Sequence, residues 1–537
     1  MKVRPLIVLA AVVIGLVIVP TALAGHATDG VDVKVTNDNN NIDGGTPNPG
    51  FDAQNRQSNE TTVAISPADP NIVAAGGNDY RMITVAGDVW LGLYVSADGG
   101  ASWFNTMVPG FSTDTSTAGL SSPLKNLDGS GDPVVRFDRD GNLYVAGIAF
   151  NRNFDQPDRP VDTLVYVARY RYTPGTPGGT STPNSAANPP NFTYAGTTVV
   201  DRGAVGFAVP GVIGFAGTFT DKEWMETDLN PPAQSRCAGN VYVAHTNFHG
   251  AFGSSPIMFS RSRDGGRTFS QPKTISTGGA GGTPYNQGAD IAVAPDGTVH
   301  VAYTAFQGGG QATNAIGVVR STDCGRSWSQ PVIVGSIVDG QAPGVAFRTP
   351  TNAFIAADDT DPDVLYVAYQ SLAGDYDIYL QRSTDGGATW EQPVVVGDDA
   401  GGHHQIFPTI DVSNGALHVA WYDFRNSPPG TSAALDVYYA CANCDGAAYP
   451  SFSHEVRVSD VSHEANCLLF GGGTAGFHGD YIELDARWGG SSHIVHVAWA
   501  DHRDVNPCDL EPAPGPASNN TGNRNENIYA DRLTVAP

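Results

Sequence analysis

The phrase Ser96-Ala-Asp-Gly-Gly-Ala-Ser-Trp103 occurs in this chain four times, with variations. It returns as Ser262-Arg-Asp-Gly-Gly-Arg-Thr-Phe269, Ser321-Thr-Asp-Cys-Gly-Arg-Ser-Trp328 and Ser383-Thr-Asp-Gly-Gly-Ala-Thr-Trp390. Each copy follows an alternating apolar run, the mark of a half-buried strand. The phrase suits a tight hairpin. Its Asp can accept hydrogen bonds from the backbone of its own loop, its Gly can take positive φ, and its aromatic residue can pin the loop onto the sheet.

Working outward from these loops, a unit of roughly fifty to eighty residues repeats. Its second strand sets the register: Asn71-Ile-Val-Ala-Ala75, Asn142-Leu-Tyr-Val-Ala146, Asn240-Val-Tyr-Val-Ala244, Thr298-Val-His-Val-Ala302, Val364-Leu-Tyr-Val-Ala368, Ala416-Leu-His-Val-Ala420 and Ile494-Val-His-Val-Ala498. Seven small antiparallel sheets with regular turn signals predict an all-β fold, a β-propeller of seven four-stranded blades. The second unit carries a Pro/Gly/Ser/Thr-rich insertion, Thr173 to Asn191, and the sixth substitutes Cys441-Ala-Asn-Cys444 for the phrase. The seventh stops after its third strand, Asn527-Ile-Tyr-Ala-Asp-Arg532, while Val31-Asp-Val-Lys-Val-Thr36 is a spare strand at the other end. The spare strand is expected to complete the seventh blade and remove an open sheet edge.

The four phrases resemble the Asp-box, or bacterial neuraminidase (BNR) repeat, of the sialidase superfamily. The resemblance implies a propeller in which the boxes are structural and lie away from the active site. It also leaves open a six-bladed sialidase-type ring with one unit displaced as an accessory sheet.

The N-terminus reads as a secretory signal over residues 1–24: Lys2 and Arg4, an apolar stretch from Leu6 to Val19, then Ala22-Leu-Ala24. Residues 25–56 are then the closing strand and its loop, and 57–537 the propeller. No other segment is apolar enough to span a bilayer, so a secreted chain without stable membrane insertion is expected. A formal charge of −25 argues against nucleic acid, whose phosphates call for a basic face. Six cysteines suit an oxidising compartment. Ring geometry suggests the pairs Cys237–Cys324 on the phrase side, Cys467–Cys508 on the other, and a local Cys441–Cys444 bridge. No cofactor is required by the sequence. The loop from Asp38 to Asp43 offers oxygen ligands to calcium without the full EF-hand pattern. His403, His404, His463, His478 and His502 gather near the seventh blade without tight ligand spacing, so they read as surface or core histidines.

In a propeller the loops entering each inner strand and those leaving each second strand share one face, opposite the phrases. The entering residues here are polar: Glu60, Asp132, Asp221-Lys222-Glu223, Arg348, His403-His404 and His478-Gly-Asp480-Tyr481. Such residues also serve to hydrogen-bond one blade to the next. The leaving residues include Asp79-Tyr-Arg81, Asp423-Phe-Arg425 and Asp501-His-Arg503, in neighbouring blades one, six and seven. Three guanidinium groups there would suit an acidic sugar; the alternative is that each Arg braces its own Asp.

Sialidases carry an Arg-Ile-Pro motif, an arginine triad, an Asp acid/base and a Tyr nucleophile paired with Glu. Phe347-Arg-Thr-Pro350 is similar to the first motif, in the fifth blade rather than the first. By that resemblance Arg348 binds substrate and Asp375, near Asp377, is the acid/base. From position in the ring, Tyr481 beside Asp480 is the candidate nucleophile and Glu223 its partner. Arg81, Arg425, Arg503, His404 and His478 are candidate substrate contacts. The expected function is a secreted, monomeric, sialidase-like propeller that acts on or binds extracellular glycans, as a glycoside hydrolase on acidic sugars if catalytic. The alternatives are a non-catalytic propeller binding glycans or proteins, and a polysaccharide lyase. Fold alone does not choose among them.

Overall fold

The computed structural model describes residues 27–37, 57–80, 89–151, 161–180, 186–206, 217–250, 253–276, 285–306, 314–397, 402–453, 455–469, 475–506, 508, 510, 523–524 and 526–537. The expected signal, the Asp38–Asp43 loop and Arg81 lie outside them.

Seven antiparallel blades form the ring. Blade 1 runs from its inner strand Ser58–Ile65 to its outer strand Phe104–Met107, and blade 2 from Gly129–Phe137 to Phe192–Gly206. Blade 3 runs from Thr218–Thr227 to Lys273–Thr274, and blade 4 from Tyr285–Val293 to Val332–Ile337. Blade 5 runs from Phe354–Ala357 to Val394–Val396, and blade 6 from Gln405–Ser413 to Val456–Arg457. Blade 7 is built from Glu483–Trp488, His493–Asp501 and Asn527–Val535, and Val33–Lys34 adds its fourth strand. Val33 pairs with Ala530 and Lys34 with Tyr529, so the first described strand closes the ring against the last. Each inner strand touches the inner strand of the next blade, and blade 7's touches blade 1's. The six-bladed alternative is therefore set aside: seven inner strands complete one circuit, with no unit left over.

The second strands bury nearly every residue because both of their faces meet neighbouring blades. Leu143–Phe150, Val299–Phe306 and Ala416–Asp423 are buried along almost their whole length. Neighbouring inner strands splay too far apart for a continuous ladder, so side chains carry hydrogen bonds across the gap. Asp290 accepts the amide of Ile355, Asp411 that of Ala486, and Glu483 that of Val63, at 2.7, 2.9 and 2.9 Å. Polar residues on inner strands thus answer first to the ring's own backbone.

The four repeated loops adopt one geometry. In the copy at Ser383, the Asp385 carboxylate accepts the amides of Ala388 and Thr389 and the Thr389 hydroxyl. The Ser383 hydroxyl accepts the Gly387 amide at 2.9 Å. The Thr389 hydroxyl and these amides hold Asp385 down to about 2. The position after the Asp is left-handed in every copy, with φ of 72°, 68° and 66° at Gly99, Gly265 and Gly386. Cys324 takes the same place at 62°, and there its disulfide to Cys237 ties the blade 4 loop to a turn of blade 3. Trp328 in the same loop packs edge-on against Phe259 of blade 3, at 4.6 Å between centroids. The other disulfides are Cys441–Cys444 and Cys467–Cys508, the pairs that ring geometry suggests.

Candidate functional site

The entry face gathers its chemistry at blades 1, 2, 3 and 7. In blades 1, 2, 3, 4 and 6 the inner strand has a register shift near its start, and the residue inside the shift is left-handed: Glu60, Asp132, Lys222, Gly288 and Phe407, with φ from 51° to 66°. A bulge of this kind re-aims side chains that would otherwise alternate across the strand. Four of the five are not glycine, so the ring holds an uncommon backbone conformation at this rim.

Glu60 and Asp132 lie within hydrogen-bond reach of one another. Burial, and then the Asp132 charge, raise Glu60 well above the usual carboxylate range. Burial, and then Asp221, raise Asp132 to about 6. Two carboxyl groups this close hold one proton between them and titrate as a pair. Asn78 organises the pair: its Nδ2 donates to Glu60 Oε2 at 2.7 Å, and its Oδ1 accepts the Asp132 amide at 2.8 Å. Asp221 is pushed up to about 6, chiefly by burial. Asp132 and Asp221 are half-buried, while Glu60 lies beneath.

Lys222 and Arg348 supply the positive charge. The Lys222 ammonium sits 3.7 Å from the ring centroid of Tyr481 and 4.0 Å from Asp480. Arg348 is the exposed member, with 61% of its side chain accessible. It donates through Nε and an Nη to both carboxylate oxygens of Asp480, at 2.7 and 2.6 Å. Burial works against its charge, but Asp480 and Glu60 hold its pKa above the usual guanidinium value.

The expected catalytic residues sit in differing surroundings. Both Glu223 carboxyl oxygens are buried and lack hydrogen-bond partners, so Glu223 is not hydrogen-bonded to the Tyr481 phenol. Burial, followed by Asp132, raises Glu223 well above the usual range, which keeps it a neutral acid. Tyr481 is buried, with Trp224 edge-on at 5.7 Å, and its phenol is raised by burial and then by Glu60, Asp132 and Glu223. Such a phenol resists the ionisation a nucleophile needs. Asp480 is held by Arg348. Asp375 stands apart on the hairpin after the second strand of blade 5, facing Gly402 and the Tyr379 phenol.

The arginine cluster also dissolves. Arg425 binds Asp423 at 2.6 Å and Glu455, with its guanidinium 4.0 Å over Tyr438. Arg503 binds Asp501 at 2.7 Å and Asp32 at 2.6 Å, over Tyr529. Both are turned toward the outer strands of their own blades. His404 is likewise engaged: its Nδ1 accepts the Tyr376 amide and its Nε2 donates to the Pro343 carbonyl, at 3.1 and 3.0 Å. His478 is fully buried, away from any substrate.

Sequence reasoning placed Glu60, Asp132 and Lys222 at the right rim but gave them no role, and it missed Asn78. The signal was available. Counted back from the Val-Ala register of the second strand, Glu60, Asp132 and Lys222 occupy one equivalent position in consecutive blades.

A cavity of about 560 Å³ opens at the other mouth of the channel, on the side of the repeated loops. Its charged lining is already engaged. Arg136 binds Glu226 and Glu483 at 2.8 and 2.7 Å, and Asp290 and Asp411 accept amides of the next blade. The uncommitted groups lie on the entry face.

Residues 253–427, from blade 3 into blade 6, match the family model described as a BNR repeat-like domain. The chain is a seven-bladed β-propeller, and this stretch of it is BNR repeat-like. No curated protein matches it in sequence. Among solved structures it is similar to a protein of unknown function from Dyadobacter fermentans, with 12% identity and TM-score 0.41, covering 95% of this chain and 100% of that one. It is similar to a Trypanosoma rangeli sialidase, with 12% identity and TM-score 0.39, covering 69% of this chain and 53% of that one. An α-L-arabinofuranosidase from Fusarium graminearum gives 11% identity and TM-score 0.39, covering 95% and 98%. The chain thus spans about half the length of the sialidase. At these identities and scores no residue role is taken from any of the three.

Proposed function

We propose that this propeller is a glycoside hydrolase whose substrate docks at the entry-face mouth, with the Glu60–Asp132 pair as proton donor and Asp221 as the second carboxylate. The observation that carries the reading is the hydrogen-bonded Glu60–Asp132 carboxyl pair beside Asp221, a second half-buried carboxyl. Glycosidic cleavage asks for this division: one acid still protonated near neutral pH to protonate the leaving oxygen as its bond to carbon breaks, and one ionised group to attack or to activate water. Lys222 and Arg348 offset part of the negative charge. The extracellular location read from the N-terminus belongs to the same proposal, and three disulfides agree with it.

The substrate is a neutral sugar rather than an acidic one. Among the described residues, Glu60, Asp132, Asp221, Glu223 and Asp480 face Lys222 and Arg348 as their cations, and Arg348 is already bound to Asp480. Arg425 and Arg503 are engaged elsewhere. A substrate carboxylate would therefore meet an acidic mouth without a free guanidinium pair.

A panel of neutral aryl glycosides, sialosides and uronides tests this. Turnover of a neutral member is expected, with kcat/KM lowered by ~100-fold or more in Asp132→Asn and in Asp221→Asn. Cleavage confined to sialosides, or full activity in both variants, would overturn the assignment. A non-catalytic glycan-binding propeller is the second reading, favoured by the burial of Glu60 and Tyr481 under the Arg348–Asp480 pair. It predicts binding by calorimetry with no turnover on the same panel.

A further inference from the structure

We propose that His478, His502 and Glu526, with His463 beside them, bind a divalent transition-metal ion of the zinc type at the seam where blade 7 meets blade 1. The four residues come from separate stretches of chain. His463 follows the outer strand of blade 6, His478 precedes the inner strand of blade 7, His502 directly follows that blade's second strand, and Glu526 precedes its third. One ligand atom from each of His478, His502 and Glu526 lies within 4.8 Å of the others. The side chains of these three are 0% exposed, and that of His463 is 1% exposed.

Hydrogen bonding in the cluster is incomplete in a way that points to a cation. The Nδ1 of His502 lies 3.1 Å from the Glu464 carbonyl, a contact that requires the ring hydrogen on Nδ1. Its Nε2 then carries a lone pair, and that atom faces Glu526 Oε1 at 3.1 Å. Two lone pairs at this distance repel unless a positive charge stands between them. His478 Nδ1 approaches the same oxygen at 3.5 Å. One nitrogen of His478 faces the Ala465 backbone, yet neither makes a hydrogen bond of ordinary geometry, and the same holds for both nitrogens of His463. His463 Nδ1 is 3.3 Å from Asp501. A single proton on Glu526 or His502 would leave the His478 ring without a partner, at a cost for a buried group. A metal ion would take a lone pair from His478 and from His502 and stand against the Glu526 oxygen.

The donor set selects the ion. Imidazole nitrogens with one carboxylate suit zinc and its first-row neighbours, whereas calcium and magnesium call for oxygen. The rings of His478 and His502 stack at 3.8 Å, so the ion belongs at the rim of the stack, where the nitrogens meet the Glu526 oxygen. The outer contacts match those of a built site. Glu464 orients His502, and Asn59 donates to Glu526 Oε2 at 3.0 Å. The Ser58 amide donates to the Glu526 carbonyl at 2.8 Å. Through Asn59 and Ser58 the ion would tie the last blade to the first, and Cys467–Cys508 clamps the segments that carry His463 and His502.

The test uses the whole protein stripped with a chelator and then titrated with Zn²⁺ or Co²⁺ alone. One ion per chain by elemental analysis, visible cobalt bands and a melting temperature restored by Zn²⁺ are the expected results. Glu526→Gln keeps an acceptor for Asn59 and should weaken Zn²⁺ binding by ~10-fold or more. His478→Ala should do the same. Wild-type protein that takes up neither ion, or whose melting is indifferent to chelator and Zn²⁺, overturns the proposal. So do folded variants that bind Zn²⁺ as tightly as wild type. The wild-type arms decide the matter even if both core variants misfold.

Discussion

The guanidinium of Arg348 grips the carboxylate of Asp480 through two hydrogen bonds, of 2.7 and 2.6 Å, across 132 residues of sequence. The contact joins the entry loop of blade 5 to that of blade 7 over the carboxyl cluster. Because Arg348 is mostly exposed, solvent screens much of the attraction. A double-mutant cycle of Arg348→Ala and Asp480→Ala should give a coupling of about 1 kcal/mol in denaturant unfolding. A coupling indistinguishable from zero would mean that the pair does not latch the face.

The closing strand is expected to matter far more. Val33 and Lys34 pair with Ala530 and Tyr529, Thr28 bridges Thr534, and Asp32 binds Arg503. Deleting residues 25–40 would leave blade 7 with an open edge and its core partner Val35 missing. Calorimetry should show the cooperative transition lost. An unchanged melting profile would show that the ring holds without its clasp.

The repeated loops should act on stability without touching catalysis. Asp385→Ala removes the acceptor for two amides and two hydroxyls in an exposed hairpin. The loss should be about 1–2 kcal/mol, measured by urea unfolding, with kcat/KM unmoved. A large fall in turnover would place function at the wrong mouth.

Stability should decline as pH rises through the neutral range. Burial, aided in Asp132 by its neighbour Asp221, raises Asp132 to about 6; burial raises Asp221 to about 6, Glu483 to about 7 and Asp290 to about 8, from ordinary values of 3.8 for Asp and 4.5 for Glu. Between the ordinary and the raised values the folded chain holds more protons than the unfolded one, so unfolding free energy falls with increasing pH. Carboxylates held low, such as Asp385 at about 2, titrate below this window. Burial holds His300 down to about 4 and His418 and His496 down to about 3, so these rings favour the folded chain as pH rises toward 6.5 and oppose the carboxyl trend there. Melting temperature should therefore be higher at pH 6.5 than at pH 8. A profile that is flat or climbs over that interval would contradict the burial assigned to these groups.

Much of this was legible in the chain. The loop phrase, the Val-Ala second strands and the spare N-terminal strand gave seven blades and their closure, and ring position gave the disulfide pairs. The entry-face rim was legible too, but not the partners its residues choose there. Arg425 and Arg503 looked available for substrate until their own aspartates, Glu455 and Asp32 were seen to hold them. Tyr481 and Glu223 shared a rim without sharing a hydrogen bond.

The sequence by itself determined where strands begin and which faces they bury, and it favoured seven blades over six. Those follow from period-two alternation and turn chemistry, which act over a few residues. Only the tertiary structure decided that Glu60 pairs with Asp132, that Arg348 answers Asp480, and that two histidines crowd Glu526. These relations join separate blades or separate loops of one blade. They depend on distances of a few ångström and on competition among nearby partners, and no local pattern records either.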